Sequence, residues 1–171
     1  MSHASRYFLL AACLLAGSAW AVPTPFMGVA DAQEDFALHR PVTGSPICKP
    51  GEEALKAVNG LIASKTQDKF CSLQKPSWLQ IDLQSERTLH GFTLKHAGAG
   101  GEPTAMNTRA FTIQTSLDGK QWTTVVSVLH NTSNVSRHPI TSTRARHVRL
   151  NVTQPTQTAD PATRIYEFEA W

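Results

Sequence analysis

From Trp78 onward, apolar residues recur at every second position in short runs separated by turn-forming residues. Leu79/Ile81/Leu83, Phe92/Leu94, Phe111/Ile113 and Val148/Leu150/Val152 each alternate with polar neighbours. A period of two turns one face of each segment into a core and the other toward water, so residues 78–83, 89–96, 110–116, 122–128, 146–152 and 165–171 are predicted to be strands. Ser116-Leu117-Asp118-Gly119-Lys120, between two of them, reads as a hairpin turn because Gly119 tolerates a positive φ that other residues resist. Residues 34–59 are punctuated by Pro41, Gly44, Pro46, Pro50 and Gly51 and read as loop, apart from a short helical stretch at 52–58. An all-β sandwich of about eight strands follows, with long loops gathered at its ends.

The start of the chain follows a different rule. Residues 8–17 are an almost unbroken apolar run behind one basic residue, Arg6, and are followed by Ala19-Trp20-Ala21. The run is too short to span a bilayer, and the small residues three and one positions before Val22 match a secretory signal peptide cleaved after Ala21. Residues 1–21 are therefore expected to be a signal peptide, 22–35 a lead-in, and 36–171 one domain. A secreted or periplasmic location is the expectation. Leu10-Ala11-Ala12-Cys13 also looks like a lipoprotein box, but Leu14-Leu15-Ala16 simply continues the apolar run, which makes anchoring at Cys13 the weaker reading.

Composition agrees with one globular domain: 171 residues, 41% apolar and 17% charged. With 16 basic against 13 acidic residues the chain lacks the charge of a nucleic-acid binder. No later stretch is long and apolar enough for a membrane span. Of three cysteines, Cys13 lies in the predicted signal, leaving Cys48 and Cys71 in a disulfide-permissive setting where one bridge is the economical outcome. Two cysteines without a nearby pair of spaced histidines do not make a zinc site.

A series of short motifs carries a family resemblance. Pro41-Val42-Thr43, Ala57-Val58-Asn59-Gly60, Asp68-Lys69-Phe70-Cys71-Ser72, Trp78-Leu79-Gln80-Ile81-Asp82-Leu83, Ser116-Leu117-Asp118-Gly119 with Trp122, Ala145-Arg146-His147-Val148-Arg149-Leu150 and Tyr166-Glu167-Phe168-Glu169 occur in this order. Together they resemble the coagulation factor 5/8 type C, or discoidin, domain over residues 36–171. His96-Ala97-Gly98-Ala99-Gly100-Gly101-Glu102 and Asn107-Thr108-Arg109 make the chain most similar to carbohydrate-binding modules of family 32. The resemblance implies an eight-stranded jelly-roll sandwich that binds sugars through loops at one end, usually with a structural calcium, and does no catalysis.

By the same resemblance, the metal loop maps to the side chains of Asn59, Asp68 and Glu167 and the carbonyls of Lys56 and Leu61. Asn59 stands where the family usually has Asp, and Asp68 where it has Thr. A hard cation takes six to eight oxygens, many of them backbone carbonyls, so Ca2+ remains compatible with this set. For the glycan, His96, Glu102, Asn107 and Arg109 supply donors and acceptors for sugar hydroxyls on or beside one Gly-rich loop. Each also has a plainer role: His96 shares the parity of Phe92 and Leu94, Arg109 can pair with Glu102, and Asn107 can cap a turn. Trp78, Trp122, Phe92 and Phe111 fall at positions that look like core, and residues 154–163 contain no aromatic, so a stacking platform is not evident; Trp171 and Phe36 are possible substitutes.

No G-x-S-x-G, H-E-x-x-H or Cys–His arrangement for nucleophilic catalysis is present, so an enzyme is not expected. The expected function is non-catalytic binding of a glycan or envelope polysaccharide. The alternative is an adhesion protein of the cell envelope that has lost its sugar site and binds a protein or an anionic lipid. Arg137, His138, Arg144, Arg146, His147 and Arg149 would serve such a partner, although alternate members of a strand point opposite ways. Met106 and Leu61-Ile62 are too few for a membrane-inserting loop surface.

Overall fold

The alternating runs become strands whose apolar members meet between two layers. The computed structural model describes residues 33–62 and 68–171; the predicted signal peptide, Cys13 and most of the lead-in fall outside the described residues. Seven strands form: β1 (Val42–Gly44), β2 (Phe70–Ser72), β3 (Ser77–His96), β4 (Ala110–Ser116), β5 (Thr123–Val128), β6 (Val135–Gln154) and β7 (Thr163–Ala170). The predicted helical stretch is a 3-10 turn at Ala54–Val58, and two more such turns, Ala97–Gly100 and Thr104–Met106, shape the loop between β3 and β4.

The count among the described residues is seven rather than about eight: two of the six predicted runs are one strand, and β1 and β2 add two that the alternation does not show. Segments 78–83 and 89–96 belong to a single 20-residue β3, which continues through the polar stretch 84–88 with register irregularities between Asp82 and Arg87 and between Leu89 and Gly91. Gln84 absorbs part of the bend at φ 67°. Its partner β6 is equally long and starts at Val135, well before the predicted 146. The front half of β3 pairs with β1 and the back half of β6, and β6 continues to β4 and β5. The back half of β3 pairs with β7 and the front half of β6, and β7 carries β2 at the edge. All pairings are antiparallel, and the two long strands are shared by both layers.

Between the layers, Leu79, Ile81, Leu83, Phe111, Ile113 and Leu150 meet Leu89, Phe92, Leu94, Ile165 and Phe168, all essentially without solvent exposure. Each such side chain contributes about 1.5–3 kcal/mol by leaving water. Truncating Phe92 to Ala would cost about 3–5 kcal/mol, since the cavity left behind adds to the lost transfer energy.

Trp78 and Trp122 correct the expectation that they are core, since both are half-buried. Trp78 shares the outward parity of Gln80 and Asp82, and Trp122 sits in the β4–β5 connection. Trp171 is buried and donates Nε1–H to Thr93 Oγ1 at 3.1 Å. Phe36 packs on the core with the Arg87 guanidinium 5.1 Å from its ring centre, so both aromatics close the sandwich. Cys48 and Cys71 form the expected disulfide, with Cα atoms 5.4 Å apart, tying the loop after β1 to β2. A closed loop of this length contributes about 3 kcal/mol on the chain-entropy account. No helix among the described residues is long and apolar enough to cross a membrane.

Candidate functional site at the loop end

Four loops converge where β3 ends and β4 and β7 begin. The loop 97–109 is shaped by two glycines for different contacts: a Cβ on Gly98 would run into Asn134, and a Cβ on Gly100 would run into the Tyr166 ring. The close approach at Gly98 lets its N–H donate to Asn107 Oδ1 at 2.7 Å. Asn107 Nδ2 in turn donates to Thr132 O and Asn134 Oδ1, so this fully buried amide ties the loop to residues 132–134.

The four predicted glycan residues do not converge on one cleft. His96 is fully buried, with Nε2 hydrogen-bonded to Ser136 Oγ at 2.9 Å and its ring tilted against Phe111. Burial, helped by His138, lowers its pKa to about 4, and the parity it shares with Phe92 and Leu94 is what placed it inside. His96 and Asn107 thus support the loop from within and present no surface to a ligand. Glu102 and Arg109 do not pair with each other and belong to two neighbouring features.

Glu102 is the centre of a charged network. Lys69 Nζ lies 3.3 Å from its Oε1 and 3.2 Å from Glu52 Oε1, Arg164 Nε lies 3.1 Å from its Oε2, and Tyr166 O–H donates to Oε1 at 2.8 Å. Arg164 reaches on to Asp160 at 2.9 Å. The side chains of Glu52, Lys69 and Glu102 are almost wholly buried, where each charge needs its partners. Sequence reasoning missed Glu52, Lys69, Arg164 and Tyr166 in this role because their partners lie far away in the chain, Glu52 and Lys69 between β1 and β2, Glu102 on the loop 97–109, and Arg164 and Tyr166 on β7.

Arg109 faces the other way, into an open cleft of about 300 Å³ lined by Lys75, Arg109 and residues 154–161. Its guanidinium donates to Gln157 Oε1 at 3.1 Å and lies 3.0 Å from His130 Nδ1. Gln157 is fixed in turn, its Nε2 donating to Asn107 O and Asn131 O at 3.0 and 2.8 Å. Asp160 lines the same cleft and links it through Arg164 to the Glu102 network. The lining offers amide, hydroxyl, guanidinium, ammonium and carboxylate groups on a rigid frame, and no aromatic side chain. Asn131, the first residue of a glycosylation sequon, is buried and spends its Nδ2 on Thr108 O.

The predicted metal residues form a separate cradle around the Asn59-Gly60 turn. Asn59 Nδ2 donates to Asp68 Oδ1 at 2.8 Å, Gly60 N–H donates to Glu167 Oε1 at 3.0 Å, and Lys56 Nζ lies 3.2 Å from Asp68 Oδ1. The second oxygen of each carboxylate, Asp68 Oδ2 and Glu167 Oε2, is buried with no hydrogen-bond partner among the described residues. Burial pushes the Glu167 carboxyl up to about 7, against the Gly60 N–H that lowers it.

With the geometry established, comparison supplies the family. The sequence pattern of the F5/8 type C domain matches residues 42–168. The chain belongs to the F5/8 type C domain family. Among solved structures, the domain is similar to the family 32 carbohydrate-binding module of EndoD from Streptococcus pneumoniae, at 28% identity and a TM-score of 0.71, covering 81% of this chain and 99% of that one. It is also similar to chitosan-binding module 2 of a chitosanase/glucanase from Paenibacillus sp. IK-5, solved with chitotriose, at 26% identity and TM-score 0.66, covering 80% and 99%. A family 32 module from Clostridium perfringens in complex with GalNAc-β-1,3-galactose shares the fold at 14% identity and TM-score 0.66, over 78% and 95%. No match was found among curated proteins.

For an F5/8 type C domain, the cradle residues fit a calcium ion. Asp68 and Glu167 each keep one buried oxygen without a partner while the Asn59 amide and the Gly60 N–H hold their other oxygens, and unmatched carboxylate oxygens are the ligands a hard dication takes. The Cys48, Glu52 and Cys71 grouping is no rival metal site, because both sulfurs are in the disulfide.

Proposed function

We propose that this F5/8 type C domain is an exported, non-catalytic glycan-binding module whose ligand sits in the cleft lined by Arg109, Gln154, Gln157, Thr158 and Asp160. The observation that carries this reading is the fixing of Arg109 and Gln157 at the mouth of an open polar cleft on the loop end. Gln157 is locked by two backbone carbonyls and Arg109 by Gln157 and His130, so their ordering entropy is already spent before a sugar arrives. Its solved relatives are carbohydrate-binding modules, which supports a sugar as the ligand. With a few polar contacts and no aromatic platform, micromolar to millimolar affinity is expected, roughly −8 to −4 kcal/mol.

In this reading Asp68, Glu167, Asn59 and the carbonyls of Lys56 and Leu61 hold a structural Ca2+. The ion would supply positive charge to the orphaned carboxylate oxygens and brace the turn against β7, away from the ligand. Signal-peptide cleavage after Ala21 would deliver the module to the periplasm or the exterior, where the disulfide persists.

A glycan-array screen of the secreted protein in calcium, with Arg109→Ala and Gln157→Ala alongside, tests the proposal. Binding to one glycan class that both variants lose is the expected result. Silence across the array, with folded protein, would overturn it in favour of an adhesion role toward a protein or lipid.

A further inference from the structure

The outward face of β3, β6 and β4 carries a row of planar side chains that the loop-end site does not use. Trp78 stands in register with Asn151, Gln80 with Arg149, and Arg149 with Gln114. Alternation places all five on the face away from the core, and all are half-buried. Gln114 organises the row: its Oε1 accepts from Arg149 Nε at 3.1 Å, Arg149 Nη2 at 2.8 Å and Asn151 Nδ2 at 2.9 Å. The Arg149 guanidinium lies over the Trp122 ring, 4.1 Å from its centre.

Arg149 differs from its neighbours in having only neutral partners. Arg146 is held bidentately by Asp82 at 3.0 Å for both contacts, and Arg144 pairs with Glu86, whereas among the described residues Arg149 has no carboxylate partner. Burial shifts its pKa downward, the direction expected for a cation partly withdrawn from water without a counter-charge. Two of its five N–H donors are spent on one amide oxygen and the others remain. A preset, uncompensated guanidinium is the electrostatic complement of a carboxylate or sulfate. Around it lie a half-exposed indole and amide groups, the chemistry that receives a sugar ring and its hydroxyls.

We propose that this sheet face is a second saccharide-binding surface, distinct from the loop-end cleft, which takes an acidic oligosaccharide with its anionic group on Arg149 and a sugar ring against Trp78. It does not depend on the cleft, because Arg109 and Arg149 serve different surfaces.

The test titrates the full chain with oligogalacturonate, with a sulfated chondroitin tetrasaccharide and with neutral maltotriose, following backbone amide NMR signals. At least one acidic oligomer is expected to move the amides of 78–80, 112–114 and 149–151. Its affinity should fall at least tenfold in Arg149→Gln, weaken steeply with added salt, and stay unchanged in Arg109→Ala. Binding of oligogalacturonate identifies a carboxylate as sufficient, whereas binding of the chondroitin oligomer alone, which carries both uronate carboxylates and sulfates, makes the sulfate necessary. If Arg149→Gln fails to fold, Trp78→Ala takes its place, with a several-fold loss expected. Absence of binding by both acidic oligomers would overturn the proposal. So would shifts confined to residues 154–161, an unchanged affinity in the folded variant, or equal binding of maltotriose.

Discussion

Glu52 and Glu102 lie about as deep as Asp68 and Glu167, yet the two pairs are neutralised in opposite ways. The first pair is met by Lys69, Arg164 and the Tyr166 hydroxyl, so every charge has a partner supplied by the chain itself. In the second pair Asp68 has Lys56 at 3.2 Å and Glu167 feels Lys95 only at longer range, and each carboxylate keeps one buried oxygen without a hydrogen-bond partner among the described residues. The first is a self-contained ionic frame at the loop end; the second leaves two buried oxygens unmatched, which is why a cation is proposed for it. Burial alone does not distinguish them, and a count of partners does.

The largest effect expected is from breaking the closed frame. Lys69→Met would leave Glu52 and Glu102 buried against each other without their shared ammonium, at a cost of about 3–5 kcal/mol in denaturant unfolding. That cost should be the same with and without calcium; a calcium-dependent cost would mean that the two clusters are coupled.

Acid should act next, on Glu167 and His96 in opposite directions. Without the ion the Glu167 carboxyl, raised to about 7, takes its proton first and adds stability as the pH falls, whereas His96 removes it. His96 has a pKa of about 4 in the folded protein against 6.5 ordinarily, so the native state resists a proton that the unfolded chain accepts. The His96 contribution is therefore complete above pH 6.5 and is lost as pH falls toward 4, by about 3 kcal/mol. His138, also lowered by burial, works in the same direction. His96→Gln should flatten this limb of a pH-dependent melting series, and an unchanged limb would place the acid sensitivity elsewhere.

Calcium sharpens the comparison directly. At a concentration roughly a hundredfold above its Kd, the ion should stabilise by about 2.7 kcal/mol, seen as a rise in Tm that a chelator reverses. Glu167→Gln should abolish that rise while leaving the chelated protein as stable as before or more so, since it removes an uncompensated buried charge. Glu102→Gln should do the reverse, destabilising with or without the ion. A Glu167→Gln variant that still responds to calcium would refute the cradle.

The smallest effect on stability belongs to the cleft. Arg109 is hydrogen-bonded to two neutral side chains at a half-exposed position, so Arg109→Ala should change unfolding free energy by about 1 kcal/mol or less. A larger loss would make Arg109 a structural residue of the loop end.

Much of the fold is legible in the alternation because the inward positions of β3, β4, β6 and β7 are Leu, Ile, Val and Phe. The front half of β6 escapes the same reading: its inward residues include Ser136 and His138, which look polar in sequence and are accommodated as a hydrogen-bonded pair. Polar residues 84–88 read as a turn, whereas the backbone bends through them without leaving β3. That Asp68 and Glu167 meet the Asn59-Gly60 turn was legible through the family motifs, and the disulfide through the cysteine count. The charged frame was not, because Lys69 comes from the segment before β2, Glu102 from the loop 97–109 and Arg164 from β7, and no local spacing joins them. Trp78 reads as a core position in the sequence although its parity with Gln80 and Asp82 points outward.

The claim at the centre is that glycan binding resides in the cleft between Arg109 and residues 154–161. The direct measurement is isothermal titration of the array-selected glycan into the full chain in calcium, comparing wild type, Arg109→Ala and Arg149→Gln. A loss of at least tenfold in Arg109→Ala, with its Tm within a few degrees of wild type and Arg149→Gln unaffected for a neutral glycan, is the result predicted. Equal affinity in folded Arg109→Ala would contradict it and move the glycan to another surface of the domain.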